Sequence, residues 1–206
     1  MSSPRPPSGH DEDHKDSYPD VPLENDMPMT GHASTVRRLD LPAERRFLKG
    51  AAISVWQNAP DEASQWTAFA RRPHSLLERL RGKNKQLAID TSPDFWNRYY
   101  DDITCARQLG SNSLRLSLEW SRVMPNGPGL VDENAVQRYR DILDRCVDAG
   151  LEPMVTLHHF VHPQWFEALG AFEREENIQY FVDWAVMAFR LFRDHGLSLI
   201  ATFNEP

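Results

Sequence analysis

The feature that most constrains the fold is a pattern that occurs three times along the chain. A helical stretch with one apolar face ends at a glycine, and a short apolar strand follows. The glycines are Gly110, Gly150 and Gly196, and the strands after them are expected at 113–118, at 153–157 and from 199 to just before Pro206. Helices that alternate with short apolar strands are typical of a parallel β-sheet with helical crossovers.

The type of parallel sheet follows from the first strand, which is expected within 47–57 as a buried strand with Gln57 at its far end. A doubly wound sheet that binds a nucleotide normally has a glycine-rich turn after its first strand. No G-x-G-x-x-G occurs in this sequence. The pattern therefore favours a (β/α)8 TIM barrel, of which this chain covers only about the first four βα units, a half barrel.

The chain is expected to have two parts. Residues 1–44 are rich in Pro, Asp and His and have few large apolar side chains, so they predict a disordered tail. Residues 45–206 predict the folded half barrel. Within it, 58–88 is a long polar connection that we expect to have little structure of its own and to act as a functional loop or lid.

Two helices carry detailed predictions. The first is expected to begin at Ser92-Pro93, where Ser92 would be the N-cap and Pro93 the first helical residue. The helix before Gly196 is expected to direct six apolar side chains inward, at the helical spacing of Ile178, Phe181, Val182, Ala185, Phe189 and Phe192.

The composition disfavours several classes of function. A net charge of -7 argues against a surface for nucleic acid or anionic membranes. No apolar run reaches the roughly 18 residues that a membrane span needs. The first residues have no apolar core like that of a signal peptide, so a cytoplasmic location is expected. Cys105 and Cys146 fall in predicted helices and are expected to be reduced core thiols. No cofactor is expected.

Polar residues gather where the predicted strands end. Because parallel strands point the same way, their carboxyl ends share one edge of the sheet, which we call the carboxyl rim. Its candidate members are Gln57, Arg115, Glu119, His158, His159, Asn204 and Glu205. Amides, imidazoles, a guanidinium and a carboxylate suit a ligand rich in hydroxyl groups, and the six Trp and ten Phe could supply stacking faces. The group indicates a sugar site.

Each candidate also has a structural interpretation. Gln57 could cap a helix or a loop, and Arg115 in an apolar strand could form a structural ion pair with a carboxylate. His158, His159 and His162 could suggest a metal site. They lie in a strand-to-loop segment, however, and lack the acid of an H-E-x-x-H helix, so no metal is expected.

Four motifs, taken together and in this order along the chain, make the sequence recognisable. They are 51–57 (AAISVWQ), 114–125 (LRLSLEWSRVMP), 155–164 (VTLHHFVHPQ) and 202–206 (TFNEP). Together they resemble the amino-terminal part of a glycoside hydrolase family 1 β-glycosidase. The resemblance covers about 47–206.

The resemblance implies a retaining β-glycosidase on a (β/α)8 barrel, acting on a small β-glycoside or an oligosaccharide. Glu205 matches the family's acid/base, and Asn204 matches the residue that binds the sugar 2-hydroxyl. Gln57 and His159 match residues that bind the other hydroxyls of the glycone, the sugar that is released. Arg115 matches the arginine beside the nucleophile, which it keeps ionised.

The sequence also departs from the family. Residues 58–60 read Asn-Ala-Pro where the family usually has an Ile-Glu-Gly-like turn, and Phe160 replaces a tryptophan. The family's nucleophile lies in a Glu-Asn-Gly segment, which these 206 residues do not contain. Retaining hydrolysis needs two carboxylates about 5 Å apart, so these residues by themselves are expected to be inactive. Two alternatives stay open at this point: a non-catalytic sugar-binding or interaction protein derived from such an enzyme, and another barrel hydrolase of the same clan.

Overall fold

The computed structural model describes residues 47–73, 75–81 and 89–206. The predicted tail, 1–44, lies outside the described residues. Four strands form one parallel sheet in the order β1-β2-β3-β4, as the repeated pattern predicts. They are β1 Gly50–Ile53, β2 Ser113–Ser117, β3 Glu152–His158 and β4 Leu199–Phe203.

Helices connect and cover these strands. Three long ones are α4 Phe95–Gln108, α6 Glu133–Asp148 and α8 Ile178–Phe192. Five short ones are α1 Val55–Asn58, α2 Gln65–Arg71, α3 Leu76–Leu80, α5 Trp120–Val123 and α7 Gln164–Ala168. Short 3-10 turns cover Ile89–Thr91, Ala171–Glu173 and Glu175–Asn177. Each crossover from one strand to the next therefore contains one long helix.

The glycine between helix and strand is required by the backbone, most clearly at Gly196. This residue has φ +78°, a conformation that side chains other than glycine rarely adopt. A Cβ atom at this position would lie 2.3 Å from Cγ2 of Val147 in α6. Gly196 thus allows the chain to turn closely over α6 into β4, and it fixes where the last strand begins.

The core lies between the sheet and the long helices. Leu114 and Leu116 of β2 are 4% and 0% exposed, and Val155 of β3 is also fully buried. Alternation along the strand places Arg115 on the opposite face. The burial of alternate residues therefore anchors one face of the sheet and leaves the other for polar side chains.

Gln57 does not extend the first strand, which corrects the prediction. β1 stops at Ile53, and the hydroxyl of Ser54 then accepts a hydrogen bond from the backbone N–H of Gln57 at 3.4 Å, as the N-cap of α1. A serine before an apolar residue is a helix-start signal that outweighs the strand pattern here. β1 is also not buried, because Gly50, Ala51 and Ala52 are exposed.

The long connection after Gln57 is more structured than expected. It contains α2 and α3, and its segment at 63–65 is joined to the loop after β3. Gln65 N–H donates to the His162 carbonyl at 3.1 Å, and Gln164 N–H donates to the Ala63 carbonyl at 2.8 Å. These pairings hold α2 beside the end of β3, so the described part of the connection belongs to the folded domain.

The helix starting near Ser92 begins later than predicted. α4 starts at Phe95, and its N-cap is Asp94, which has φ +61°. Ser92 and Pro93 instead follow the 3-10 turn that ends at Thr91. An N-cap signal from serine and proline was thus misplaced by two residues.

The inward face of α8 is only partly as predicted. Phe181 and Phe192 are buried, but three residues assigned inward are 43–49% exposed, namely Ile178, Val182 and Phe189. Trp184 and Ala188 are fully buried instead. Because α8 is apolar around most of its circumference, hydrophobic spacing does not identify its buried face.

The two cysteines differ. Cys146 is buried as predicted, and burial raises the pKa of its thiol to about 12. Cys105 is exposed, so it is not a core thiol. Both are free. Within the described ranges, no helix is long and apolar enough to cross a membrane.

Candidate active site

A guanidinium and an amide meet at the carboxyl rim. Arg115 of β2 donates from Nη2 to Oδ1 of Asn204 at 2.9 Å and from Nε to Oγ1 of Thr156 at 2.7 Å. The backbone N–H of Asn204 donates to the His158 carbonyl at 2.9 Å. These bonds join side chains of β2 and β3 to the end of β4. Arg115 therefore pairs with an amide and a hydroxyl, and not with the structural carboxylate that the sequence left possible.

His159 lies in the same electrostatic environment. Burial lowers the pKa of its imidazole, the positive charge of Arg115 lowers it further, and the carboxylate of Glu205 opposes both effects. The ring feels both charges because the three side chains are near one another. At neutral pH the imidazole is therefore uncharged, with one nitrogen that donates and one that accepts a hydrogen bond.

Glu205 follows Asn204 directly and is exposed. Its φ is +49°, in the left-handed region that residues other than glycine seldom adopt. Such backbone conformations concentrate at functional sites, where the surrounding structure holds them in place. The chain thus presents a carboxyl group at the end of β4 from an unusual backbone position.

Gln57 is exposed in α1, just beyond the carboxyl end of β1. Because β1 pairs in parallel with β2, this end of β1 lies at the same edge of the sheet as the end of β2. The structure thus places Gln57 at the carboxyl rim on a helical turn. It does not join Gln57 directly to the Arg115–Asn204 pair.

Phe160 also lies at the rim, next to His159. It is 40% exposed and has φ +65°. Its ring contacts the His159 ring edge to face at a centroid distance of 5.7 Å. Its carbonyl accepts hydrogen bonds from the side chains of Gln65 and Trp66, both at 2.7 Å. Helix α2 therefore supports the loop that carries His159.

His158 was a candidate for the rim, but it packs away from it. Its ring contacts the rings of Phe172 and Phe203, with centroid distances of 5.1 and 5.2 Å. Burial and the neighbouring histidines lower its pKa to about 4. His158 is 3.3 Å from His162, which in turn is 2.7 Å from a carboxylate oxygen of Glu167. His158 is thus part of an aromatic and hydrogen-bonded cluster behind the rim.

Glu119 is also not on the open rim, because it is only 1% exposed. Its Oε1 accepts hydrogen bonds from the Ser117 hydroxyl and from the backbone N–H of Trp56, the latter at 3.0 Å. Burial raises its pKa to about 7, against the hydrogen bond from Ser117. Through its hydrogen bond to Trp56, the Glu119 carboxyl group therefore holds the first turn of α1, the helix that carries Gln57.

Asp61 is a second buried carboxyl group that the sequence did not reveal. Burial raises its pKa, while the charge of Arg122 opposes the shift. One oxygen accepts from the Ser121 hydroxyl at 2.9 Å, and the other accepts from the Ala63 N–H at 3.0 Å. The only available signal was the position of Asp61 after Asn58-Ala59-Pro60, which does not by itself predict burial.

Comparison with known proteins identifies the family. The family model described as Glycosyl hydrolase family 1 matches residues 46–206. The chain belongs to glycosyl hydrolase family 1. The described strands are therefore about the first four of the eight in a (β/α)8 glycosidase barrel.

The family 1 proteins that resemble this chain come from several organisms. A 6-phospho-beta-galactosidase of Clostridium acetobutylicum is 40% identical over 159 residues, which are 77% of this chain and 32% of that protein. The structure of a beta-glycosidase from Pyrococcus horikoshii is 34% identical with a TM-score of 0.64, over 78% of this chain and 35% of the other. The family 1 β-glucosidase from Thermotoga maritima is 28% identical with a TM-score of 0.68, over 78% and 36%.

The chain therefore spans about a third of the length of these family 1 relatives. The match includes the ends of the four strands and the residues of the carboxyl rim.

Proposed function

We propose that these residues supply the acid/base and much of the glycone-binding surface of a retaining β-glycosidase. Its substrates would be small β-glycosides or oligosaccharides. The observation that carries the proposal is the hydrogen bond between Arg115 and Asn204, formed beside Glu205 and His159 at the rim. It brings together side chains from three separate strand ends, which is the arrangement that a barrel active site requires.

Glu205 is proposed as the acid/base. In the first step its carboxylic acid protonates the glycosidic oxygen while the bond from that oxygen to the anomeric carbon breaks. A second carboxylate, from the remainder of the barrel, forms an ester with that carbon. In the second step Glu205, now ionised, removes a proton from water, which attacks the anomeric carbon and releases the second carboxylate.

Asn204 is proposed to bind the sugar 2-hydroxyl. Its Oδ1 already accepts a hydrogen bond from Arg115, and this fixes which side of the amide is the oxygen. The NH2 group then projects on the other side and can donate to a hydroxyl oxygen. The bond to Arg115 thus prepares Asn204 as a donor before the sugar binds.

Arg115 has a second proposed role through its charge. A guanidinium stays protonated at any physiological pH, and a carboxylate placed within about 4–6 Å of it is favoured in the ionised form. The nucleophile must be ionised to attack. Arg115 therefore both orients Asn204 and lowers the pKa of the second carboxylate.

His159 and Gln57 are proposed to bind the remaining hydroxyls of the glycone. A neutral imidazole and an amide can each donate and accept, which matches the hydroxyl groups of a sugar. His159 is neutral because of burial and of Arg115, so it does not bring a second positive charge to the site. No charged ligand group is needed to explain this set.

The test uses the leaving-group dependence of the full-length enzyme that contains these residues. Glu205→Ala should lower kcat about 10²- to 10⁴-fold for glycosides with poor leaving groups, which need a proton. For 2,4-dinitrophenyl glycosides, whose leaving group needs no proton, the formation of the glycosyl ester should be nearly unaffected. Pre-steady-state release of dinitrophenol measures that step.

The control is Glu175→Gln, which changes an exposed carboxylate in the crossover between β3 and β4. This substitution should leave the rates on both kinds of glycoside unchanged. An equal loss on both substrates with Glu205→Ala would contradict the acid/base assignment. Absence of hydrolysis of any β-glycoside by the unaltered enzyme would contradict the proposed function as a whole.

A further inference from the structure

The turn that carries Gln57 is too short to hold its own shape. α1 has only four residues, and isolated helices of this length are unstable in water. It is followed by Ala59-Pro60, and Pro60 has no backbone N–H to donate. The position of Gln57 must therefore be set by the residues packed beneath the turn.

Two side chains from the end of β2 bind the first amides of this turn. The Ser117 hydroxyl accepts from the backbone N–H of Val55 at 2.8 Å, and Oε1 of Glu119 accepts from the N–H of Trp56 at 3.0 Å. Ser117 also donates its hydroxyl proton to Glu119. Because the first amides of a helix have no partner within the helix, these bonds satisfy donors that would otherwise be unpaired.

Side chains of α5, directly after Glu119, hold the next residues of the connection. Arg122 donates to the carbonyl of Ala59, directly after α1. Asp61 is held through Ser121, the neighbour of Arg122 in α5. The charged and titratable groups that face Glu119 are thus Asp61, Arg122 and Tyr139, whose hydroxyl accepts from the Glu119 N–H at 2.9 Å.

We propose that Glu119 is a positioning residue for Gln57. By binding the Trp56 N–H it holds α1 where the Gln57 side chain can reach the glycone. The inference rests on the proposed function. A carboxyl oxygen suits this task, because it accepts from the Ser117 hydroxyl and the Trp56 N–H together, and a buried donor left without an acceptor is costly. Glu119 itself is buried and does not touch the sugar.

A double-mutant cycle in the full-length enzyme tests the proposal. Glu119→Ala should lower kcat/KM about 10- to 100-fold, the loss expected when a substrate-positioning group moves by about 1 Å. It should change kcat and KM in the same proportion as Gln57→Ala does. Glu119→Gln keeps an oxygen of the same shape as acceptor and should stay within about threefold of the unaltered enzyme.

The decisive variant combines both changes. If Glu119 acts through Gln57, adding Glu119→Ala to Gln57→Ala should cause little further loss, because coupled residues are not additive. Additive losses would overturn the proposal. The matched control is Asp132→Ala, which removes the carboxylate cap of α6. It should lower stability and leave the kinetic constants unchanged.

Amide hydrogen exchange provides a measurement that does not depend on activity. Glu119→Ala, and Ser117→Ala if the first variant does not fold, should raise exchange at Val55 and Trp56 at least tenfold. Exchange in α6 should be unchanged. Unchanged exchange at Trp56 would overturn the positioning role even if the enzyme proves inactive on every β-glycoside. A loosened turn together with an inactive unaltered enzyme would leave the positioning intact and reject only the hydrolase.

Discussion

The carboxyl rim and the connection that follows β1 both use charged side chains, but they use them differently. At the rim, Arg115 and Asn204 are half-buried and Glu205 is exposed, so they retain capacity to bind a ligand. In the connection Asp61 is buried, and Glu119 is buried beside it in the turn after β2; their oxygens accept hydrogen bonds from the surrounding chain. The rim is thus suited to recognition and chemistry, and the connection is suited to holding a turn in place.

This difference implies that substitutions in the two regions should be distinguishable. Changes at the rim should affect catalysis with little effect on stability, because the side chains are partly solvated in the absence of a ligand. Changes in the connection should affect stability, with catalytic effects arising only through Gln57.

The largest effect is expected at Arg115. Arg115→Lys keeps the positive charge but loses the planar fork that reaches Asn204 and Thr156 together. We expect kcat/KM to fall about 100-fold, as for a misplaced positioning group, while the unfolding midpoint in urea changes little. Arg98→Lys, on the exposed surface of α4, is the control. A large loss of stability with Arg115→Lys would remove the contrast between the regions.

Glu119 should dominate the pH dependence of the buried region around the connection. Its pKa is raised from 4.5 to about 7 in the folded chain, so the folded state binds the proton more tightly than the unfolded state. Its contribution to stability is therefore fully present below about pH 4.5 and is lost as the pH rises through 7.

Glu119→Gln removes this dependence, because an amide does not titrate. The free energy of unfolding of the variant, minus that of the unaltered protein, should therefore rise as the pH goes from 5 to 8. The rise should be on the order of 2 kcal/mol. Urea unfolding across this pH range measures the gain, with Glu175→Gln as the control. A difference between the two proteins that does not vary with pH would contradict the buried, protonated state of Glu119.

Gly196 tests how much stability depends on the close approach of the chain to α6 before β4. Gly196→Ala would place a methyl group against Val147 in a backbone conformation with φ +78°, and we expect it to cost about 1–3 kcal/mol. Gly129→Ala has a similar φ of +71° but no atom within 4 Å of the added Cβ. It should cost about 1 kcal/mol, from the backbone conformation alone. Equal losses in thermal unfolding would show that the close approach to α6 does not matter.

The smallest effect is expected at Ser64, which caps α2 and is fully buried. Its hydroxyl accepts from the Thr67 N–H at 3.2 Å and donates to the Asp61 carbonyl at 3.2 Å. Ser64→Ala should lower the free energy of unfolding by about 1 kcal/mol, the usual value of an N-cap. Ser64→Thr, which keeps the hydroxyl, is the matched control. No difference between the two variants would indicate that the cap is dispensable.

The sequence predicted the rim better than the connection for a physical reason. β2, β3 and β4 are short apolar runs after glycines, so their positions are visible in the sequence. Asn204 follows β4 directly, and Arg115 is the one charged residue within β2. Glu119 also follows a strand, but its position alone does not show whether its side chain turns outward or under β1. That choice depends on the Trp56 amide, which is 63 residues away in the sequence.

Local signals failed where two patterns competed. The small and apolar residues of 47–57 predict a strand that reaches Gln57, whereas Ser54 starts a helical turn instead. In α8, apolar residues on all sides left the buried face undefined, so Trp184 was missed. Burial by tertiary contacts decides such cases, and it cannot be inferred from the spacing of apolar residues alone.

The most direct test of the central claim is the product that the Glu205→Ala enzyme forms in the presence of azide. Azide can enter the space left by the carboxylate and attack the glycosyl ester without needing a base. The account predicts that azide speeds turnover of an activated aryl β-glycoside and that NMR identifies a β-glycosyl azide. No acceleration, or an α-glycosyl azide, would contradict the assignment of Glu205 as the acid/base of a retaining enzyme.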